Sequence, residues 1–155
     1  MKLAVFSDSH GYTVKMLNAI KEHSPDLIIH LGDGGVDVEK IKKQFPLIPL
    51  KAVRGNCDFS HELPETDLFS VSGVKIFITH GHLFGVKNDT EALTAKATTL
   101  GADIAMYGHT HVADYFRYGS LHVINPGSCS FSTSASFAEV IISDNGKINC
   151  RIVRL

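Results

Sequence analysis

Five short apolar runs in this chain each end on residues able to hold a metal ion, and that arrangement limits the fold more than any other feature. LAVF leads to Asp8 and His10, LIIH to Asp33, and PLKAV to Asn56. VKIFIT leads to His80, and DIAMY to His109 and His111. Runs this short, bounded by turn residues, read as buried strands. Helical spacing appears between several of them, and strands alternating with helices make parallel sheets. A parallel sheet gathers the carboxyl ends of its strands along one edge, where ligand crevices form. Seven residues scattered between positions 8 and 111 would therefore meet in one place.

The first element is a strand at Lys2–Phe6. Val14, Leu17 and Ile20 then recur at helical spacing to about Glu22, and Pro25 stops that helix. Leu27–His30 is a second strand. A second helix is expected over Val36–Phe45 with Val38, Ile41 and Phe45 inward. Pro46 and Pro49 flank a strand of roughly Leu47–Val53, and Phe59–Glu65 reads as loop. Strands at Leu68–Val71 and Val74–Thr79 should join as a hairpin at Ser72-Gly73. Asn88 with Glu91 fits a capping box for a third helix ending at Gly101, with Leu93, Ala97 and Leu100 on one face. The strand Asp103–Tyr107 closes this alternation. Strands alone follow, at Val112–Arg117, Leu121–Ile124, Phe137–Ser143 and Lys147–Leu155, with a hairpin turn at Asn145-Gly146. Parallel units followed by antiparallel strands imply two sheets packed face to face with helices outside. Without a repeat or linker, residues 1–155 read as one domain.

The 155 residues are ample for a single hydrophobic core. A net charge of −1 argues against a polymeric nucleic-acid partner. Lys40, Lys42 and Lys43 are the densest positive cluster and read as the solvated face of a helix. No apolar stretch suits a bilayer span, and the first residues read as a strand rather than a leader, so the expected location is the cytoplasm. Cys57, Cys129 and Cys150 lack zinc-type pairing and read as reduced thiols, the last two as small core residues. Nine histidines are the oddity of the composition. His23, His30, His61 and His122 fall outside every motif and are assigned structural roles.

A carboxylate between two divalent ions can bridge them, while neutral imidazoles and an amide oxygen complete each shell. Ions roughly 3.5–4 Å apart can clamp a phosphate and activate a shared water for in-line attack. Asp8 with His10, and His109 with His111, each present two donors on a short extended turn. Gly32, Gly55, Gly81 and Gly108 lie before a ligand or within its motif, where the backbone must turn or approach closely. The pattern points to a metal-dependent hydrolase. Blander uses compete at the neighbouring positions. Asp58 serves as a partner of a ligand or caps its loop, and Asp37 begins or flanks the second helix. Arg54 grips phosphate or forms an ordinary ion pair; His82 orients a ligand, touches substrate or is solvated. Ser128 in GSCS lacks the nucleophile-elbow pattern.

The blocks SDSHG, LGDGGVD, RGNCD, THGH and GHTH, in this order, resemble the metallophosphoesterase (calcineurin-like phosphoesterase) superfamily. The small YfcE-type phosphodiesterase branch fits best, and INPGS at Ile124–Ser128 matches a further signature of that branch. The resemblance covers nearly the whole chain. It implies an α/β fold, a four-layer αββα sandwich of two mixed sheets flanked by helices. It also implies that Asp8, His10, Asp33 and His111 hold one metal and that Asp33, Asn56, His80 and His109 hold the other, with Asp33 as the bridge. Mn²⁺ is the family's usual activator, while the donor set also suits Fe²⁺, Ni²⁺, Zn²⁺ and Co²⁺.

The implied reaction is hydrolysis of a small or nucleotide-like phosphodiester through in-line attack by a hydroxide bridging the ions. His10, His80 and Asn56 would stabilise the transition state, and Asn56, Arg54 and His82 are the candidate substrate contacts. One departure stands out. Larger members carry GNH followed by an acid, whereas GNCD puts Cys57 where the histidine would help protonate the leaving group. A thiol is a less assured acid there, which favours diesters with acidic leaving groups. A phosphomonoesterase with the same centre is one alternative. A non-catalytic scaffold like the retromer subunit of this fold is another, against which stands retention of all seven positions. Self-association is left open by the sequence.

Overall fold

The computed structural model describes residues 1–59, 62–130 and 133–155, and their strands form two five-stranded mixed sheets. The amino-terminal part contributes β1 (Lys2–Phe6), α1 (Val14–His23), β2 (Leu27–His30), α2 (Gly35–Gln44) and β3 (Leu50–Ala52). A hairpin of β4 (Thr66–Val71) and β5 (Val74–Thr79) leads to α3 (Glu91–Thr99) and β6 (Ile104–Met106). The remaining strands are β7 (Ala113–Tyr118), β8 (Leu121–Pro126), β9 (Ser136–Ile142) and β10 (Ile148–Arg154). The first sheet runs β10-β9-β1-β2-β3, with β1, β2 and β3 parallel and Phe6 opposite His30. The second runs β4-β5-β6-β8-β7, with β5, β6 and β8 parallel.

Side chains alternate across a strand, so each central strand feeds two cores. Leu3, Val5, Leu27 and Ile29 meet Ile76, Ile78 and Met106 between the sheets. Ala4, Phe6 and Ile28 pack outward onto Met16, Ile20 and Ile41 of α1 and α2. On the far side Phe77, Ala105 and Val123 pack onto Leu93 and Ala97 of α3. Burial on both faces is why these runs are continuously apolar instead of alternating. Each fully buried Leu, Ile or Phe contributes about 1.5–3 kcal/mol of burial free energy. The layers are helix, sheet, sheet, helix, as the sequence pattern requires.

Several local expectations shift. The inward face of α1 is Met16, Ala19 and Ile20, and Val14 is 72% exposed. Spacing by threes walks off one helical face, and Met16 with Ile20, four apart, is the pair that β1 and β2 cover. The third helix begins at Glu91, not Asn88, because a 3₁₀ turn at His82–Phe84 and an Asn88 amide bonded to Gly85 occupy the preceding residues. Asp89, rather than Asn88, accepts the Glu91 amide at 2.9 Å. The helix stops at Thr99, before Gly101 at φ +65°. β3 is short and Leu47 is almost wholly exposed, since Pro46 and Pro49 break up the run ahead of it. Ser72 and Gly73, at φ +50° and +78°, make the expected two-residue hairpin turn. The 59–65 loop is described only in part, and His61 lies outside the described residues. Among the described residues no helix is long and apolar enough to cross a membrane.

Candidate metal centre

Each parallel strand of the two sheets delivers its motif at its carboxyl end. Beyond the strands the loops stay bonded to each other: Asp8 N donates to Gly32 O, His10 N to Asp33 O, and Gly108 N to His80 O, each at 3.0 Å. Cys129 N donates to Ser7 O at 3.0 Å and ties in the INPGS segment. Among the described residues seven non-glycine positions have positive φ, and five of them are Asp8, His10, Asp33, His109 and His111. A non-glycine residue held there costs on the order of 1–3 kcal/mol, so strain is concentrated where the donors are aimed.

The seven expected ligands converge. His111 Nε2 stands 3.1 Å from Asp8 Oδ1 and 3.5 Å from His10 Nε2. His80 Nε2 stands 3.4 Å from Asp33 Oδ2 and 3.2 Å from Asn56 Oδ1. Asp33 Oδ2 also lies 3.9 Å from His10 Nε2, so it faces both groups. Three groups with mutually close ligand atoms result among the described residues: Asp8, His10 and His111; Asp33, His80 and His109; and, between them, His10, Asp33 and Cys57. Asp8 Oδ1 is buried with no hydrogen-bond partner among the described residues, although Ser7 Oγ and the His109 amide satisfy its Oδ2. A buried, undonated carboxylate oxygen is costly in a folded protein, and a cation there would satisfy it. The donor set fits a metal.

Tautomers fit as well. His80 Nδ1 lies 2.7 Å from the Leu31 carbonyl, which can only accept, so Nδ1 carries a proton, and Nε2 faces Asp33 and Asn56, donating to them when the ring is protonated and open to a cation when it is neutral. Burial opposes charge on Asp33, yet the bonds from His80 and the Cys57 amide hold its pKa far below the usual carboxylate range. Burial likewise opposes a charged His80, but Asp33 and Asp8 outweigh it and raise the pKa. The site attracts positive charge. His109 is shifted down, by burial first and then by His80.

Around the ligands lies a set of clamps. Asp58 accepts four backbone N–H bonds, from Gly34 and Gly35 on Oδ1 and from Asp33 and Gly55 on Oδ2, at 2.7–3.0 Å. It therefore acts as a partner of the Asp33 loop as well as a turn residue. Asp37, buried in the first turn of α2, accepts from Ser9 Oγ at 2.7 Å and Gly11 N at 2.8 Å. The fully buried His30 accepts from Gly32 N on Nδ1, leaving Nε2 to donate to Ser9 Oγ at 3.1 Å. Burial, the leading cause, lowers the His30 pKa and keeps the ring neutral for that role. Asn125 of INPGS donates to Gly108 O and Thr110 Oγ1 and so braces the His109–His111 turn. Ser128 Oγ donates to Asp8 O at 2.8 Å, a structural use that excludes it as a poised nucleophile. Close approach explains two glycines: a Cβ on Gly55 would stand 2.0 Å from Asp33 Oδ1, and one on Gly108 1.9 Å from Ser7 Oγ.

The remaining candidates divide. Arg54 is engaged by Glu65 in an ion pair, which is the ordinary use weighed against a phosphate fork. His82 opens the 3₁₀ turn with its ring 5.4 Å from that of His80 and its Nδ1 buried, so it borders the site instead of being a solvated loop residue. Cys57 is exposed; its Sγ receives Asn56 Nδ2 at 3.3 Å, and burial of the thiol, then Asp33, raises its pKa. His23 and His122 are structural: His23 pairs with the buried Glu139, and His122 lies between Tyr115 and Arg117. The clamping roles of Asp37, Ser9 and Asn125 went unread in the sequence. Their only signal is polar residues packed tightly into glycine-rich blocks.

A family model described as the calcineurin-like phosphoesterase superfamily domain matches residues 1–145. The chain belongs to that superfamily. This calcineurin-like phosphoesterase is 35% identical over 130 residues to the probable metallophosphoesterase YsnB of Bacillus subtilis, covering 83% of this chain and 75% of that one. It is 29% identical over 170 residues to the phosphodiesterase YfcE of Escherichia coli, covering 94% and 88% respectively. A predicted phosphoesterase from Streptococcus pneumoniae superposes with a TM-score of 0.75 at 26% identity, over 99% and 97% of the two chains. Entamoeba histolytica Vps29, solved in complex with Zn²⁺, gives a TM-score of 0.78 at 24% identity over 99% of each chain, a likeness of fold alone.

Proposed function

We propose that this calcineurin-like phosphoesterase hydrolyses phosphodiesters of small or nucleotide-like substrates, using two divalent ions that share Asp33. The observation that carries the reading is the Asp33 carboxylate, with Oδ2 3.9 Å from His10 on one side and 3.4 Å from His80 on the other. Asp8, His10 and His111 would hold one ion; Asn56, His80 and His109 the other. When bound, such a pair polarises the phosphoryl group and supplies a nucleophile at neutral pH for in-line attack. Mn²⁺ is the proposed metal, and Fe²⁺, Ni²⁺, Zn²⁺ and Co²⁺ suit the same donors.

The chain's own part is to hold these groups still. His80 is oriented through Leu31, and Asp33 through the Cys57 amide. Asn56 is exposed, and its amide Nδ2, resting on Cys57 Sγ, can turn to a phosphate oxygen. Cys57 places an exposed thiol, rather than an imidazole, beside Asn56, a less assured proton donor to a leaving group. Leaving groups that depart without protonation are therefore favoured, which selects activated diesters over alkyl monoesters. The test compares bis-p-nitrophenyl phosphate with p-nitrophenyl phosphate on Mn²⁺-loaded protein. Faster diester turnover is expected; faster monoester turnover would replace this reading with a phosphomonoesterase. The Vps29-like fold supports a second, scaffold reading, and a scaffold would show no turnover of either ester even when loaded with metal.

A further inference from the structure

We infer that Cys57, together with His10 and Asp33, forms a binding site for a thiophilic divalent cation such as Zn²⁺ or Cd²⁺. The site goes beyond the proposed pair, which draws no donor from sulfur, yet it shares two ligands with that pair. One donor atom from each of the three residues lies within 4.8 Å of the other two. All three residues line one hollow of about 240 Å³, in company with Gly34, Gly35 and Asp58. Cys57 and His10 are exposed and Asp33 is buried. A cation therefore meets the first two donors from solvent and the third beneath them.

The backbone holds the three segments together. His10 N donates to Asp33 O at 3.0 Å, and Cys57 N donates to Asp33 Oδ1 at 2.8 Å. Asp58 ties the neighbouring loops, taking N–H bonds from Asp33 on one and Gly55 on the other. Asn56 Nδ2 donates to Cys57 Sγ at 3.3 Å, so the sulfur already faces the positive end of a dipole. Bonds of about 2.0–2.3 Å place the ligands of one zinc under about 4 Å apart, so small turns of the exposed Cys57 and His10 side chains complete the site. No loop has to travel.

Chemistry sets the class of ion. Thiolate is a soft ligand that selects ions such as Zn²⁺, whereas carboxylate suits Mn²⁺. Three protein ligands with one position left to water make an open zinc site. As the sulfur–metal bond forms, the thiol proton passes to solvent, and thiolate, imidazole and carboxylate surround the ion. A neutral imidazole offers one lone pair, so His10 serves this ion or the proposed pair, not both. A thiophilic ion seated here competes with Mn²⁺ for the centre. The other two thiols stand apart from it. Cys129 is fully buried and donates to Ser7 O at 3.2 Å, and Cys150, on β10, packs against the core between the sheets.

Cd²⁺ titration of the metal-free protein tests the site, because sulfur bound to cadmium absorbs in the ultraviolet. A band with the strength of one sulfur–cadmium bond per chain is expected at saturation, and it should vanish in Cys57→Ser. In His10→Ala the Cd²⁺ concentration for half-saturation should rise by about tenfold or more, the scale on which partners of a metal act. No band in the wild type, or a band that survives in Cys57→Ser, overturns the site. An unchanged half-saturation in His10→Ala also overturns it, since the sulfur would then bind cadmium alone. These results stand whether or not Mn²⁺-loaded protein cleaves a diester, so the site and the hydrolytic reading fail separately. In protein shown by electron paramagnetic resonance to bind Mn²⁺, added Mn²⁺ should raise the half-saturation for Cd²⁺; a fixed value overturns the competition.

Discussion

The two halves of the ligand cluster are built differently. The side chains of His80 and Asp33 are 0% and 3% exposed, whereas those of His10 and His111 are 32% and 49% exposed. In the inner half His80 and Asp33 are fixed atom by atom, His80 through the Leu31 carbonyl and Asp33 through the Cys57 amide, while Asn56 is exposed. In the outer half the loops are braced instead, by Asp37 on Gly11 and Asn125 on Thr110. Preorganised donors lose little freedom on binding, so the inner half should load first and bind more tightly. The two histidines of the outer half face solvent, while its Asp8 is buried.

Four perturbations sharpen or break that contrast. The largest effect is expected from Asp33→Asn, which removes the carboxylate common to both halves. Metal-partner substitutions typically cost 10–100-fold, so losing the shared ligand itself should leave activity below about 1%. Wild-type turnover with two bound ions in this variant would end the shared-carboxylate model. Next is Asp58→Asn, which turns an amide group against four backbone N–H donors. Metal affinity should fall roughly 10–100-fold in both halves, and the fold should lose about 1–3 kcal/mol. Calorimetric titration and chemical denaturation measure the two losses.

Asp37→Asn should act on the outer half alone, weakening one of two binding steps by up to about tenfold. Equal weakening of both steps would dissolve the contrast. The smallest effect concerns the metal-free protein and pH. Burial works against charge on His80, but Asp33 and Asp8 prevail and raise its pKa above the ordinary 6.5. A raised folded pKa gives stability that is fully present below the unfolded value and lost as pH rises through the folded one. In chelator, Tm should therefore decline above neutrality more steeply for the wild type than for His80→Asn. Parallel curves would show that the inner half does not hold a proton in place of metal. Acid should lower metal loading and turnover, since protons compete for the same imidazoles and carboxylates.

The convergence of the expected ligands was legible because its geometry is carried by strand ends. Residues that terminate parallel strands must share an edge, so Asp8, Asp33, Asn56, His80 and His109 could be grouped before any coordinates. The sandwich followed from the same alternation. What escaped notice depends on contacts between distant residues. Asp37 sits where an acid is ordinarily read as complementing the helix dipole, and nothing in its spacing reveals that it holds Ser9 and Gly11. The left-handed backbone at five of the expected ligands is likewise invisible, because Asp and His carry no glycine-like signature. Val14 misled by matching a stripe that the sheet does not cover.

The most direct test is anomalous diffraction from crystals soaked in Mn²⁺. Two peaks about 3.5–4 Å apart, astride the Asp33 carboxylate, are the predicted result. A lone peak away from Asp33 in a crystal form that turns over diester would contradict the shared-carboxylate centre.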